Sequence, residues 1–233
     1  MNTSSVLTWL LWMGVCSAAL LSLGCEQEDD NKLASAQACL DRLNSSSPPS
    51  AAQGCMNMVS GLTSPQSYVI RCSVGFFLGG ITPSVLINAY NNNKDQPSNL
   101  MGLALMSALT SSSLTQANQT YSDCVKSQVS SLIYMAGISR AGTAMSVGAG
   151  VPFTPGATVN TTTAVTMLNT CSNGGAGGVC NDVAIGQTAI AIYSSYCMGD
   201  TAQTQVCVDM GSAVQAGNNN PASIALALYQ FLQ

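Results

Sequence analysis

The sequence predicts an all-α protein built from helical hairpins that disulfides hold together. Apolar residues recur at intervals of three, four and seven positions, which is the spacing of one face of an α-helix. Glycine, proline and asparagine interrupt these periodic stretches, as expected for turns between helices. The chain also contains ten cysteines, and an even set of cysteines in an exported chain is typical of a disulfide framework. Together these observations favour a disulfide-stapled bundle, with room for two subdomains.

Four helices are predicted in the first hundred residues. The first two lie on either side of a Ser-Pro turn, and their apolar faces are Ala36, Cys39, Leu40 and Leu43, then Cys55, Met58, Val59 and Leu62. A third helix is predicted over 65–77. A fourth begins at Thr82 and Pro83, because threonine caps a helix N-terminus and proline suits its first position. It runs to Tyr90, and the asparagine triplet at 91–93 ends it.

The middle of the chain predicts a buried helix followed by an amphipathic one. Residues 98–109 are apolar nearly all round, which indicates a helix buried on most sides. Over 114–132 one apolar face persists for five turns, and we expect this helix to continue towards Gly137. From 136 to 156 glycine, alanine and proline accumulate, so a long loop or a subdomain boundary is predicted there.

The last third repeats the hairpin pattern. A helix is predicted over 157–170, although its valine and threonines also suit a strand. Further helices are predicted over 179–197, 201–214 and 221–232. The whole chain then divides into a signal peptide (1–24), an acidic lipid-anchored tether (25–31), an N-terminal helical subdomain (32–150) and a C-terminal helical subdomain (151–233).

The first 25 residues have the form of an export signal. Residues 6–23 carry no charge, Gly24 and Cys25 follow, and four acids occur within 26–30. The sequence Leu-Ser-Leu-Gly-Cys at 21–25 resembles the signal of bacterial lipoproteins, in a relaxed, spirochaete-like form. The resemblance implies lipidation of Cys25 with palmitate-type chains and attachment to a bacterial membrane, expected to be the outer membrane, on its periplasmic or surface face. An ordinary signal cleaved after Ala19 or Gly24 and an uncleaved anchor are the alternatives.

Cysteine counting favours the lipoprotein interpretation. If Cys16 leaves with the signal and Cys25 is acylated, eight cysteines remain, which suits four disulfides. They are Cys39, Cys55, Cys72, Cys124, Cys171, Cys180, Cys197 and Cys207. Symmetry about turns pairs Cys171 with Cys180 and Cys197 with Cys207. The other four pair in one of two ways, as Cys39–Cys55 with Cys72–Cys124, or as Cys55–Cys72 with Cys39–Cys124.

Charge and histidine content exclude several function classes. Four of the ten acids lie in the tether, so residues 31–233 hold six acids and all six bases, and the body is formally neutral. It therefore offers no basic field for nucleic acid or anionic lipid. The chain has no histidine, which removes the usual general base and the commonest metal ligand.

Three patterns suggest catalysis or anion binding, and each falls short. Residues 137–141 (Gly-Ile-Ser-Arg-Ala) differ from a nucleophile elbow at the last position and lack a base. The glycine-rich 174–178 could cradle an anion, but it lacks the Lys-Ser/Thr ending of a phosphate loop and reads as a turn. Asp182 and Asp209 could act as acid and base, although lone exported aspartates are usually caps or surface groups. No Cys-x-x-Cys pair is present, so we expect no catalytic residue, no metal and no cofactor.

The sequence thus predicts an exported, lipid-anchored helical protein that is not an enzyme and acts as a surface or periplasmic binding or structural module. Its expected partners are the membrane, through the N-terminal lipid, and a protein or small molecule held by apolar contact and neutral hydrogen bonds. Nucleic acid is not expected. The alternatives are an exported hydrolase, a membrane-active helical protein that uses the apolar 132–153, and a passive coat that binds nothing.

Overall fold

The computed structural model describes residues 28–93, 106, 109–150, 161–173, 180, 182–198 and 204–231. These ranges form ten helices and contain no strand, so the predicted all-α fold is confirmed. The helices are α1 (28–40), α2 (Pro49–Met58), α3 (Pro65–Leu78), α4 (Pro83–Asn93), α5 (Leu114–Ser127), α6 (Ser130–Ala149), α7 (Thr161–Asn173), α8 (Asp182–Tyr196), α9 (Gln205–Ala216) and α10 (Pro221–Phe231).

The first three helices form around a small core of their own. Both α2 and α3 begin at a proline, where the missing N–H leaves no helical hydrogen bond unmade. The Ser64 hydroxyl caps α3 by accepting a hydrogen bond from the Ser67 amide at 3.3 Å. The core consists of buried side chains from α1, α2 and α3 and from the residue that follows α2, namely Ala36, Ala52, Cys55, Val59, Ile70 and Val74. The predicted hairpin of the first two helices is therefore confirmed.

The amphipathic helix predicted over 114–132 ends earlier than expected. Helix α5 stops at Ser127 because Gln128 adopts a left-handed conformation with φ of 61°, and α6 begins two residues later. The expected continuation of one helix towards Gly137 is therefore wrong. The apolar face of 114–132 is shared between two helices that pack against each other.

The long loop predicted over 136–156 is also wrong for most of its length. Residues 136–149 belong to α6, which ends at Gly150 with φ of 66°, and 151–156 lie outside the described residues. The small residues of α6 allow neighbouring helices to pack closely and do not form a turn. A Cβ added at Gly137 would lie 2.7 Å from the Ile192 side chain, and one added at Gly142 would overlap the Met106 backbone carbonyl.

The C-terminal helices agree with their predicted positions. Residues 161–173 form a helix, which settles the helix-or-strand alternative for 157–170 over the part described, and α8, α9 and α10 occupy the other three predicted ranges. The predicted buried helix over 98–109 lies almost wholly outside the described residues. One buried cluster joins residues on both sides of position 150, among them Ala141, Met145, Met167, Leu168 and Tyr229. The two predicted subdomains thus contribute to a common core.

Four disulfides connect the helices, and all eight predicted cysteines take part. The pairs, with their Cα–Cα distances, are Cys39–Cys55 (5.5 Å), Cys72–Cys124 (4.8 Å), Cys171–Cys180 (5.3 Å) and Cys197–Cys207 (5.2 Å). This is the first of the two alternatives left open by the sequence. Cys25, the predicted lipidation site, lies outside the described residues.

Within the described ranges, no helix taken alone has the length and apolar character needed to cross a bilayer. Among the helices that the structure describes, the α3–α4 pair reaches that length and composition in combination, and a bend of 66° separates its two helices.

Candidate functional site

The residues singled out from the sequence as candidates for catalysis do not converge. Ser139 is buried in the middle of α6 instead of lying on a strand-to-helix turn. The Asp182 carboxylate is buried and accepts a hydrogen bond from the Tyr229 hydroxyl at 2.8 Å. On the surface, the Asp209 carboxylate accepts a hydrogen bond from the Gln205 side-chain amide at 2.7 Å. Among the residues described, no three cysteine or acidic side chains cluster as metal ligands would.

Asp182 and Tyr229 form a structural pair that joins the start of α8 to α10. Both side chains are almost fully buried, and burial, followed by the hydrogen bond to Asp182, raises the pKa of Tyr229 well above its usual range. The phenol therefore stays protonated and donates to the carboxylate. This pair is enclosed by the core, so it stabilises the helix packing and offers no reactive group to solvent.

One concave feature whose lining lies within the described residues is an apolar cavity of about 270 Å³ that is partly open to solvent. Nine of its ten lining residues are apolar, and the full set is Leu40, Leu43, Ser73, Phe76, Phe77, Ile81, Pro83, Leu86, Leu132 and Met135. The one polar lining side chain is Ser73, and its hydroxyl already donates to the Val69 carbonyl at 2.9 Å. The cavity wall therefore presents hydrocarbon and aromatic surface to anything that enters.

A glycine turn between α3 and α4 shapes one side of this cavity. The Ile81 amide donates a hydrogen bond to the Phe76 carbonyl at 2.8 Å, and the Gly80 amide donates one to the Phe77 carbonyl at 3.0 Å. These two bonds form the Schellman pattern at a helix C-terminus. The pattern requires the left-handed φ of 87° at Gly80. It turns the chain so that Ile81 is buried in the cavity wall.

Helix α4 then crosses the cavity with its predicted cap in place. The Thr82 hydroxyl accepts a hydrogen bond from the Val85 amide at 3.4 Å, which confirms the predicted helix start. Pro83 and Leu86 line the cavity, whereas Ile87 and Tyr90 are 60% and 58% exposed to solvent. No residue of α4 is charged, so the helix carries apolar side chains on both its inner and outer faces.

The remaining walls come from helices that are distant in sequence. Leu40 lies at the end of α1 with Leu43 just beyond it, and Leu132 and Met135 are one turn apart on α6. The sequence identified Leu40 and Leu43 as the inner face of a helix, but it gave no signal that this face meets α6. In the sequence, the apolar residues of each helix look like ordinary core-facing residues, so the cavity was not predicted.

The chain matches no protein family model, no curated protein and no solved structure.

Proposed function

We propose that the chain is an exported, lipid-anchored helical binding module that holds an apolar ligand in the cavity between α1, α3, α4 and α6, and that it is not an enzyme. The observation that carries the proposal is the composition of the wall, with nine apolar residues and one serine whose hydroxyl is already bonded. Binding of a hydrocarbon group to such a wall is favourable because it removes apolar surface from water. The wall provides no group that could transfer a proton or attack a substrate.

The size of the cavity limits the ligand class. Binding sites for drug-sized molecules usually exceed about 300 Å³, whereas a dry cavity of about 150 Å³ is enough for a single benzene ring. At about 270 Å³, the site fits one alkyl chain or one small ring. The polar end of an amphiphile would remain at the entrance, because the wall has no hydrogen-bonding side chain left to receive it.

The proposed lipid anchor would keep this cavity close to a membrane. The described part of helix α1 begins at residue 28; only two residues separate it from Cys25, and the three Cα–Cα steps between them span at most about 11 Å. An acylated Cys25 would therefore hold the body directly at the bilayer surface, where amphiphiles with alkyl chains are abundant. The bacterial outer membrane is the location that the lipoprotein-like signal favours.

A pair of serine variants tests the proposal. Ser73→Leu places a larger side chain in the cavity, and we expect it to weaken the binding of 1-octanol at least about tenfold, since it removes the space for about two methylene groups at about 0.8 kcal/mol each. Ser212→Leu is the matched control, because the Ser212 hydroxyl makes the same bond to the carbonyl four residues earlier, at 2.9 Å, on the exposed side of α9.

The Met135 methyl group reports occupancy directly. In ¹³C-methyl-methionine NMR of the full chain, octanol should shift the Met135 signal saturably, whereas Met198, which is 69% exposed, should not respond in this way. Binding that persists unchanged in Ser73→Leu would place the ligand elsewhere. A Met135 signal that never shifts would contradict the proposal and favour a passive coat.

A further inference from the structure

Arg140 lies near the middle of α6 and reaches between two other helices. Its Nε donates to the Asn118 Oδ1 atom of α5 at 2.7 Å, and its Nη1 donates to the Thr188 Oγ1 atom of α8 at 3.2 Å. The guanidinium carbon lies 4.7 Å from the centre of the Tyr121 ring, in a cation–π contact. All three partners are neutral groups, and they fix the guanidinium in one orientation.

The charge of Arg140 has no carboxylate partner in the described ranges. The ion pairs found there join Lys32 to Glu28 and Asp29 at the surface. Arg140 is half-buried, and this burial lowers its pKa, while Tyr121 acts in the opposite direction. A guanidinium nevertheless stays protonated in proteins. A full positive charge is thus held partly out of water without a counter-charge. This arrangement is unfavourable, and binding of an anion would reduce its cost.

Part of the guanidinium remains open to a ligand. It has five N–H donors; Asn118 and Thr188 each accept one of them, and the Tyr121 side chain also hydrogen-bonds the guanidinium. Among the described side chains, the buried polar atom that lacks a partner is Ser111 Oγ, so no nitrogen of Arg140 is sealed from solvent without a bond. Arg140 is only half-buried, so its remaining N–H donors can reach a ligand at the surface.

We propose that Arg140 is the anchor of a binding site for a single carboxylate. The N–H groups that its partners leave unused can donate to carboxylate oxygens in charge-assisted hydrogen bonds, and one positive charge balances one negative charge. A phosphate dianion would need a second cation, but Arg71 and Lys126 both stack on Tyr68 instead, at 5.1 and 5.2 Å. The source of the carboxylate is either a small organic acid or the C-terminus of a peptide.

The small number of arginines allows a direct test in the full chain. Arg42, Arg71 and Arg140 are its only arginines, so ¹⁵Nε NMR gives three signals, and Arg140→Lys identifies the one from Arg140. Sodium acetate is titrated against sodium chloride at constant ionic strength. We expect acetate to shift the Arg140 signal saturably, with half-saturation in the millimolar range, and to leave the other two in place. A uniform drift of all three signals, or no shift at Arg140, would overturn the proposal.

An isosteric variant separates anion binding from a purely structural role. Asn118→Asp places a carboxylate beside the guanidinium, so it should fill the site internally and reduce the acetate response at least tenfold. Asn57→Asp is the control, because Asn57 Oδ1 also accepts a side-chain bond, from Gln53 at 3.1 Å, on the exposed surface of α2. An acetate response that survives in Asn118→Asp would exclude this site.

The two sources of the carboxylate are separated with small probes. N-acetylglycine carries a peptide C-terminus, and N-acetylglycinamide is the same molecule with the charge removed. Tighter binding of N-acetylglycine than of acetate would assign the site to peptide C-termini, and equal binding would assign it to small organic acids. A saturable shift of the Arg140 signal by the amide would show that the site does not recognise a carboxylate and would overturn the proposal.

Discussion

The disulfide between Cys72 and Cys124 should stabilise the fold more than the one between Cys171 and Cys180. The first pair is separated by 52 residues and the second by 9. A crosslink that closes a longer loop removes more conformational entropy from the unfolded chain, and the loop-entropy relation gives about 4 kcal/mol for the first and about 2.6 kcal/mol for the second. All four cysteines are completely buried, so the burial lost by replacing each pair with alanine is closely matched.

Urea unfolding of the two double-alanine variants, followed by far-UV circular dichroism, measures this difference. We expect the Cys72→Ala/Cys124→Ala variant to be less stable than the Cys171→Ala/Cys180→Ala variant by about 1.5 kcal/mol. With an m-value of about 1–3 kcal/mol per M, the two midpoints should differ by about 0.5–1.5 M. Equal midpoints, or a lower midpoint for the Cys171→Ala/Cys180→Ala variant, would show that loop closure does not determine the contribution of these bridges.

Three further predictions concern the core and the N-terminus. The pKa of Tyr229 is raised in the folded state, so the unfolded chain loses this proton at lower pH than the folded chain does. The free energy of unfolding should therefore fall above about pH 10, by up to about 1.4 kcal/mol per pH unit. In urea titrations, Tyr229→Phe should make this decline shallower. Gly186→Ala would push a Cβ into the Pro221 carbonyl and should lower the free energy of unfolding by about 1–3 kcal/mol. In Gly54→Ala the new Cβ meets no neighbour, so this variant should be neutral or stabilising by about 0.5–1 kcal/mol. Equal urea midpoints for the two variants would contradict this. Cys25→Ala should leave an unacylated precursor of unchanged length, and an intact mass that shows processing at the same site would contradict the lipoprotein interpretation.

Local signals were enough to predict most of the helices and two of the four disulfides, whereas the pairing of Cys39, Cys55, Cys72 and Cys124 stayed open between two alternatives. Thr82 and Pro83 mark a helix start by their own chemistry, and the structure has the cap in place. Cys171 and Cys180 flank a short glycine-rich turn, so their pairing follows from sequence distance alone. In each case the deciding residues are within ten positions of one another, where chain connectivity limits the alternatives.

The errors arose where distant contacts decide the conformation. The glycines and alanines of α6 resemble a loop in sequence, but Gly142 lies in a helix because it allows the backbone of Met106 to approach closely. Gln128 ends α5 in a left-handed conformation without the glycine or proline that usually signals such a turn. A single sequence does not show which small residues face a neighbouring helix.

The two proposed binding sites depend on the same kind of long-range placement. The partners of Arg140 are 22 and 48 residues away in the chain, so the sequence alone did not indicate that they meet. Likewise, the cavity joins the end of α1 to Met135 of α6, almost a hundred residues later. The neutral charge balance of the body was the one sequence feature that pointed towards apolar recognition.

The most direct test of the proposed function is the affinity of the full chain for a series of linear alcohols of increasing length, measured from the Met135 methyl shift. Each added methylene should tighten binding about fourfold, which corresponds to about 0.8 kcal/mol per buried CH₂, until the cavity is full and the affinity reaches a plateau. Since the wall is uncharged, the affinity should change less than about threefold between low and physiological ionic strength. An affinity that does not depend on chain length, or one that falls steeply with salt, would contradict apolar recognition in this cavity.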